Sequence, residues 1–172
     1  MGNEQWDFFW IGVTNKYIWF PLYLIILYLL FKYFGWKKTL FTLFILALLI
    51  TFTDQFVNLI KITFQRIRPF KEESLSSWIR VVKKSGGFSF LSGHACNSFA
   101  VTTFVIFLLK KHFKPICFVL IWPFLFSYSR IYLGVHYPSD VISGALLGVF
   151  IGFIFYGFFL YFESKLNRSF HL

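Results

Sequence analysis

At 172 residues the chain has room for one domain, 1–172, and with 58% hydrophobic and only 14% charged residues it is too apolar for water; soluble domains run at about 45–50% apolar. Its net charge of +10 would suit a nucleic-acid binder. The Lys and Arg residues, however, stand in short loops between apolar runs, where membrane topology accounts for them, and no nucleic-acid partner is expected.

Residues 1–16 place Trp6, Phe9, Trp10 and Val13 at i, i+3, i+4 and i+7, with Glu4, Asp7 and Asn15 between or beside them. That spacing predicts an amphipathic helix lying in the membrane interface. No basic stretch, apolar core and small-residue cleavage site follow one another there, so no cleavable signal peptide is expected. Five apolar runs come next: Tyr17 to Phe34, Thr39 to Ile60, Ala95 to Leu109, Ile116 to Leu133 and Val141 to Phe162. A spanning helix needs about 20 residues at about 1.5 Å rise each. The third run, with 15, is short, which recesses the Ser-Gly-His at its start toward the bilayer. The predicted fold is all-α: a polytopic transmembrane helical bundle of about five spans plus the N-terminal interfacial helix.

Pro123 should kink the fourth run or open its hydrogen-bond ladder. In the fifth, Gly144, Gly148 and Gly152 form a small-xxx-small stripe, read chiefly as close packing within the bundle, with homodimerisation as its other use. Cys96 and Cys117 lie in apolar stretches without metal-ligand spacing and read as small core residues. Lys32, Lys37 and Lys38, then Lys110, Lys111 and Lys114, then Lys165 and Arg168 occupy three segments that five spans put on one side. Their near lack of acid assigns that side to the cytoplasm, and the other loops face outward.

Three polar sets stand at the edges of these runs, where charge is costly. Lys61 and Arg68 would share a face of a helix extended past the second run, with Pro69 ending it at Arg68. Asp54 and Asn58 fall on that face, and Asp54 is expected to hold Lys61 or a neighbouring polar group. In Ser92-Gly93-His94 the serine is a good N-cap and the glycine admits a ligand to the backbone. The free N–H groups and positive dipole end of the next helix then suit an oxyanion, with His94 at its rim. Ser129-Arg130 stands at the far edge of the fourth run. His136 and Asp140, at i and i+4, let a carboxylate fix the imidazole tautomer, through a helix or, given Pro138, a tight turn.

Taken singly each set is weak: interfacial cations commonly snorkel, and most Ser-Gly-His tripeptides are turns. Their conjunction on one side supplies three cations, two imidazoles and a carboxylate. Phosphoryl transfer needs mainly positioning and charge stabilisation, and no carboxylate cluster suited to Mg²⁺ is present.

Lys61-x6-Arg68-Pro69, Ser92-Gly93-His94 and Ser129-Arg130-x5-His136-x3-Asp140 resemble, in order and spacing, the three signature motifs of the type 2 phosphatidic acid phosphatase (PAP2) superfamily. Leu91 stands where that family usually has Pro, from which altered loop stiffness is expected. Membrane members often have six spans, and with five apolar runs read here the first of the six is the one expected to have no counterpart. The resemblance implies a membrane lipid-phosphate phosphatase that works without metal or cofactor through a covalent phosphohistidine. Carried onto this chain, His136 would be the nucleophile, Asp140 its orienting partner and His94 the general acid. Lys61, Arg68 and Arg130, helped by Ser92 and the Gly93 N–H, would bind the phosphoryl oxygens, with Asp54, Asn58 and Ser129 in support. The implied partners are the bilayer and a lipid phosphate: undecaprenyl diphosphate, towards which the reading leans slightly, phosphatidylglycerol phosphate, phosphatidic acid or a phosphate of lipid A. The expected location is a bacterial inner membrane, with the site facing outward. Rival readings are a lipid-to-lipid phosphotransferase with the same site, a non-catalytic lipid-binding or transport protein, and a vanadate-dependent haloperoxidase, which the membrane character disfavours.

Overall fold

The computed structural model describes residues 3–75 and 78–169; the side chain of Arg168, counted among the basic residues above, lies outside that description. The described residues form α-helices joined by 3₁₀ turns: α1 (Glu4–Val13), α2 (Phe20–Phe64), α3 (Gly93–Leu109), α4 (Ile121–Tyr132) and α5 (Pro138–Ser169). Three stretches, Lys16–Leu75, Lys114–Tyr132 and Pro138–Lys165, are long and apolar enough to cross a membrane, and α3 is a shorter apolar helix.

The first of these stretches contains the first two apolar runs, because α2 folds back on itself. Gly35 sits at φ 70°, ψ 177°, a region essentially reserved for glycine. On either side of it, Leu30 and Leu43, Leu27 and Ala47, and Tyr23 and Ile50 line one cavity, so the two limbs run antiparallel. Between them and α3, Leu30, Leu49, Phe104, Leu109 and Phe159 are fully buried, and the Phe104 ring meets Phe159 edge-on at 5.8 Å. Large side chains such as Phe44, Leu59, Leu146 and Phe150 point outward, as helices solvated by lipid tails require.

The fourth apolar run is not one uniform helix. A 3₁₀ stretch, Lys114–Leu120, passes into α4 at Ile121. Pro123 therefore lies in the first turn of α4, where its missing N–H forfeits no bond. The change of helix type replaces the kink expected there. Cys96 is buried, whereas Cys117 is exposed on the outer face and is no core residue.

The closest packing is between α3 and α5. A Cβ on Gly144, Gly148 or Gly152 would lie 2.6, 2.3 or 2.4 Å from the carbonyl oxygen of Ser92, Cys96 or Ala100. The glycine stripe is thus occupied within the chain and is not open to a second copy. At one end of the bundle Lys38 pairs with Glu163, and the His112 ring stacks on Tyr33 at 5.5 Å and meets Phe34 edge-on at 5.0 Å. This ties the α2 reversal, the α3–α4 connection and the end of α5 together. The three polar sets gather at the opposite end.

Candidate active site

The site is built around the start of α5. Pro138 takes its first position, and Asp140, two residues on, reaches back so that Oδ2 accepts the Tyr137 N–H at 3.1 Å, the reciprocal half of a capping box. Asp140 is fully buried and each oxygen is engaged. Ser89 Oγ donates to Oδ2 at 2.5 Å and Arg66 Nη1 to Oδ1 at 2.8 Å. His136 precedes the helix in a turn, its Nδ1 3.5 Å from Asp140 Oδ2, within ion-pair reach but without a hydrogen bond between them. Arg68 Nη1 lies 3.4 Å from His136 Nε2. An arginine can only donate, so this network assigns the proton to Nδ1 and the lone pair to Nε2. Burial pushes the His136 imidazole down to about 4, with Arg68, Arg130 and Lys61 adding to that effect and the Asp140 contact opposing it.

Lys61 and Arg68 do not share a helix face. α2 ends at Phe64, where Gln65 turns left-handed at φ 45° and donates to Lys61 O. Pro69 then holds Arg68 extended at φ −75°, ψ 149°. The buried Arg68 fork donates to Gly86 O at 2.7 Å, Gly87 O at 3.1 Å and Val135 O at 2.9 Å, so it also ties the loop before α3 to the turn before α5. Arg130, in the last turn of α4, is buried too. Its Nη1 donates to Thr14 Oγ1 at 2.7 Å, and its Nε has no partner.

Ser92 is the N-cap of α3, its Oγ accepting from the Ala95 N–H, and its own N–H donates to Asp140 O at 3.0 Å. That bond pins the start of α3 to the start of α5 and brings the His94 and His136 segments side by side. The two rings nevertheless border neighbouring cavities. His94, packed 5.0 Å from the Phe126 ring, shares a cavity of about 680 Å³ with Lys61, Asp54, Asn58, Gly93 and Asn97. His136 borders one of about 610 Å³ beneath Trp78, Ile79 and Arg80. Asp54 does not bond Lys61; it accepts from Asn97 Nδ2 on α3. Ser129 donates to Phe126 O at 2.7 Å within α4 and stays out of the site. Among the described residues, no three His, Cys, Asp or Glu side chains cluster as metal ligands.

Several participants escaped the sequence reading. Arg66 lies 3.9 Å from the Tyr137 ring, and Ser89 completes the Asp140 cage. Lys83 adds a cation to the His94 cavity. The least expected is α1. Arg80 grips Asp7 with both Nη atoms, and its hydrogen bonds hold that carboxyl below its usual range. Tyr132 Oη donates to Asn3 O at 2.8 Å, and Trp10 packs on Tyr128 and Tyr132. So seated, α1 delivers Thr14 to Arg130. The sequence carried one signal, the polar face of α1; its partners lie far along the chain.

Residues 39–164 match the PAP2 superfamily model. The chain is 43% identical over 155 residues to a lipid A 4'-phosphatase of Bacteroides thetaiotaomicron, covering 88% of this chain and 68% of that protein. It is 33% identical over 133 residues to phosphatidylglycerophosphatase B of Bacillus subtilis, covering 72% and 60%. Among solved structures, Aquifex aeolicus LpxE superposes with a TM-score of 0.67 at 29% identity, over 90% of this chain and 87% of that one. A transmembrane PAP2-type phosphatidylglycerolphosphate phosphatase of Bacillus subtilis shares the fold, with a TM-score of 0.71 at 24% identity over 98% and 81%. With its motifs gathered at one end of a membrane bundle of this shape, the chain belongs to the PAP2 superfamily and is one of its membrane lipid phosphatases.

Proposed function

We propose that the protein hydrolyses a phosphate ester of a bilayer-anchored lipid through a phosphohistidine on His136. One observation carries the lipid assignment. Lys16, Tyr17, Asn97 and Phe126, which line the His94 cavity, also line an apolar chamber of about 660 Å³ between the limbs of α2 and α3. A lipid seated there by its tail presents its headgroup to the cations. His136 Nε2 bonds to phosphorus as the ester P–O bond breaks, and His94 gives its proton to the departing oxygen. Water then attacks phosphorus, His94 takes its proton, and free phosphate leaves as the P–N bond breaks. Arg68, Arg130, Lys61, the Gly93 N–H and Ser92 stabilise the equatorial oxygens, the work a metal does elsewhere. Asp140, held by Arg66, Ser89 and Tyr137 N, keeps the imidazole oriented.

The 43% identical relative is named for removing a phosphate from lipid A. That name supports ranking a phosphorylated glycolipid first among the candidate substrates, ahead of undecaprenyl diphosphate, phosphatidylglycerol phosphate and phosphatidic acid. The lysines at the opposite end of the bundle support an outward-facing site in an inner membrane. The test is phosphate release from purified lipids in micelles, with trapping of acid-labile label on the protein. Wild type should form a labelled histidine and release phosphate in the presence of EDTA; the His136→Ala variant should neither label nor release phosphate. Undiminished release by that variant removes His136 as nucleophile.

A further inference from the structure

The second limb of α2 and α3 face each other across the site and change polarity in step. Along α2, Lys61 and then Asn58 and Asp54 line the headgroup cavity, and Ile50, Ala47 and Leu43 line the apolar chamber. Along α3, His94 is followed by Asn97 at the junction, then by Val101 and Val105 in the chamber. At about 1.5 Å per residue, Asn97 lies one turn deeper than His94, and Asp54 two turns deeper than Lys61. A substrate threaded through both spaces places phosphate at the cations, the leaving oxygen at His94, and the group between phosphate and tail at Asp54 and Asn97.

That level is a collar joining the two helices. Asn97 Nδ2 donates to Asp54 Oδ1, which leaves Asn97 Oδ1 buried without a partner. The Asn97 oxygen is closed off, so what the collar offers a ligand is the Asp54 carboxylate, the reverse of the phosphate end, which offers donors and cations. Asp54 is exposed and lines the cavity, so its carboxylate is open to the junction, and the collar rewards a ligand that brings O–H or N–H groups to it. It opposes one that brings a second anion.

From this we infer that Asp54 and Asn97 read the leaving group, selecting a phosphomonoester whose leaving group carries hydroxyl or amide N–H donors over a lipid diphosphate. The inference rests on the lipid-phosphatase reading above and adds a substrate class to it. In a diphosphate the departing group is itself a phosphate, and it would lie against the Asp54 carboxylate. Lys16 lines both spaces and offsets part of that charge, so substitutions at the two positions should act in opposite directions.

The experiment compares kcat/KM in mixed micelles for three probes: an N-acylated glucosamine 4-phosphate glycolipid, phosphatidic acid and farnesyl diphosphate. Wild type should prefer them in that order. Asp54→Asn should shift the ratio of glycolipid to diphosphate at least tenfold towards diphosphate, mostly through KM, and Lys16→Met should shift it the other way. Asn97→Leu, which leaves Asp54 in place, should weaken the glycolipid selectively. A purely structural role would lower all three probes together and leave the ratios fixed. Fixed ratios in the variants, or a wild type that prefers the diphosphate, overturn the collar while leaving the phosphatase intact. Release from none of the probes by wild type overturns both.

Discussion

The two halves of this bundle are built on opposite terms. On one side α3 and α5 meet backbone to backbone, carbonyl oxygens of Ser92, Cys96 and Ala100 against three glycines, and their first turns are joined by the Ser92–Asp140 bond. On the other, the limbs of α2 stand off from α3 around a chamber of about 660 Å³. The groups proposed to react sit on or beside the close half; the apolar lining proposed to receive a lipid belongs to the open one. Chemistry that depends on tenths of an ångström and a substrate that must slide in from a bilayer make contrary demands, and the fold separates them by helix pair.

The comparison is most easily broken at the seam. Gly148→Val puts a side chain where a Cβ already lies 2.3 Å from Cys96 O, which should cost about 3 kcal/mol or more and abolish turnover, read by thermal melting in detergent beside phosphate release. Gly157→Val on the same helix, with nothing within 4 Å, should leave both nearly unchanged; equal damage at 148 and 157 would mean the seam is not special. Next in size, Arg66→Ala frees Asp140 Oδ1 of its charged partner. A bond of that kind is worth about 1.5–3 kcal/mol, so kcat should fall roughly tenfold to a hundredfold with little change in KM.

The pH profile sharpens the same point. In the proposed mechanism His136 attacks as the neutral imidazole, and burial holds its value at about 4, so the acid limb of kcat/KM should lie near 4. An acid limb near the ordinary imidazole value of about 6.5 would show a hydrated ring in the working enzyme. The smallest effect belongs to the open half: Ala47→Phe fills the chamber, raising KM roughly tenfold for a long-chain lipid and leaving a short, soluble phosphate ester untouched. If both substrates suffer alike, the chamber does not hold the tail.

What the sequence disclosed follows from range. The glycine stripe was readable because its period and its effect share one helix, and the three motifs because each packs chemistry into a few consecutive residues. The Asp140 cage was not, since Ser89 and Arg66 reach it across 51 and 74 positions, nor was the Thr14–Arg130 bond across 116. Asp54 announced itself as an acid inside an apolar run in need of company but not which company, because Asn97 lies on another helix. Lys61 and Arg68 misled in the opposite way: their spacing suits a helix, and a single left-handed residue, Gln65, with the proline after Arg68, ends it early.

Where the contact between α3 and α5 is tightest, carbonyl oxygens meet glycine α-carbons, with the Ala95 and Thr103 Cβ atoms beside them and no ionisable group between the two backbones. A change of pH therefore has no direct handle on the frame that holds the His94 and His136 segments together. When turnover responds to its surroundings, the response is left to the imidazoles, the guanidinium groups and the limbs of the hairpin.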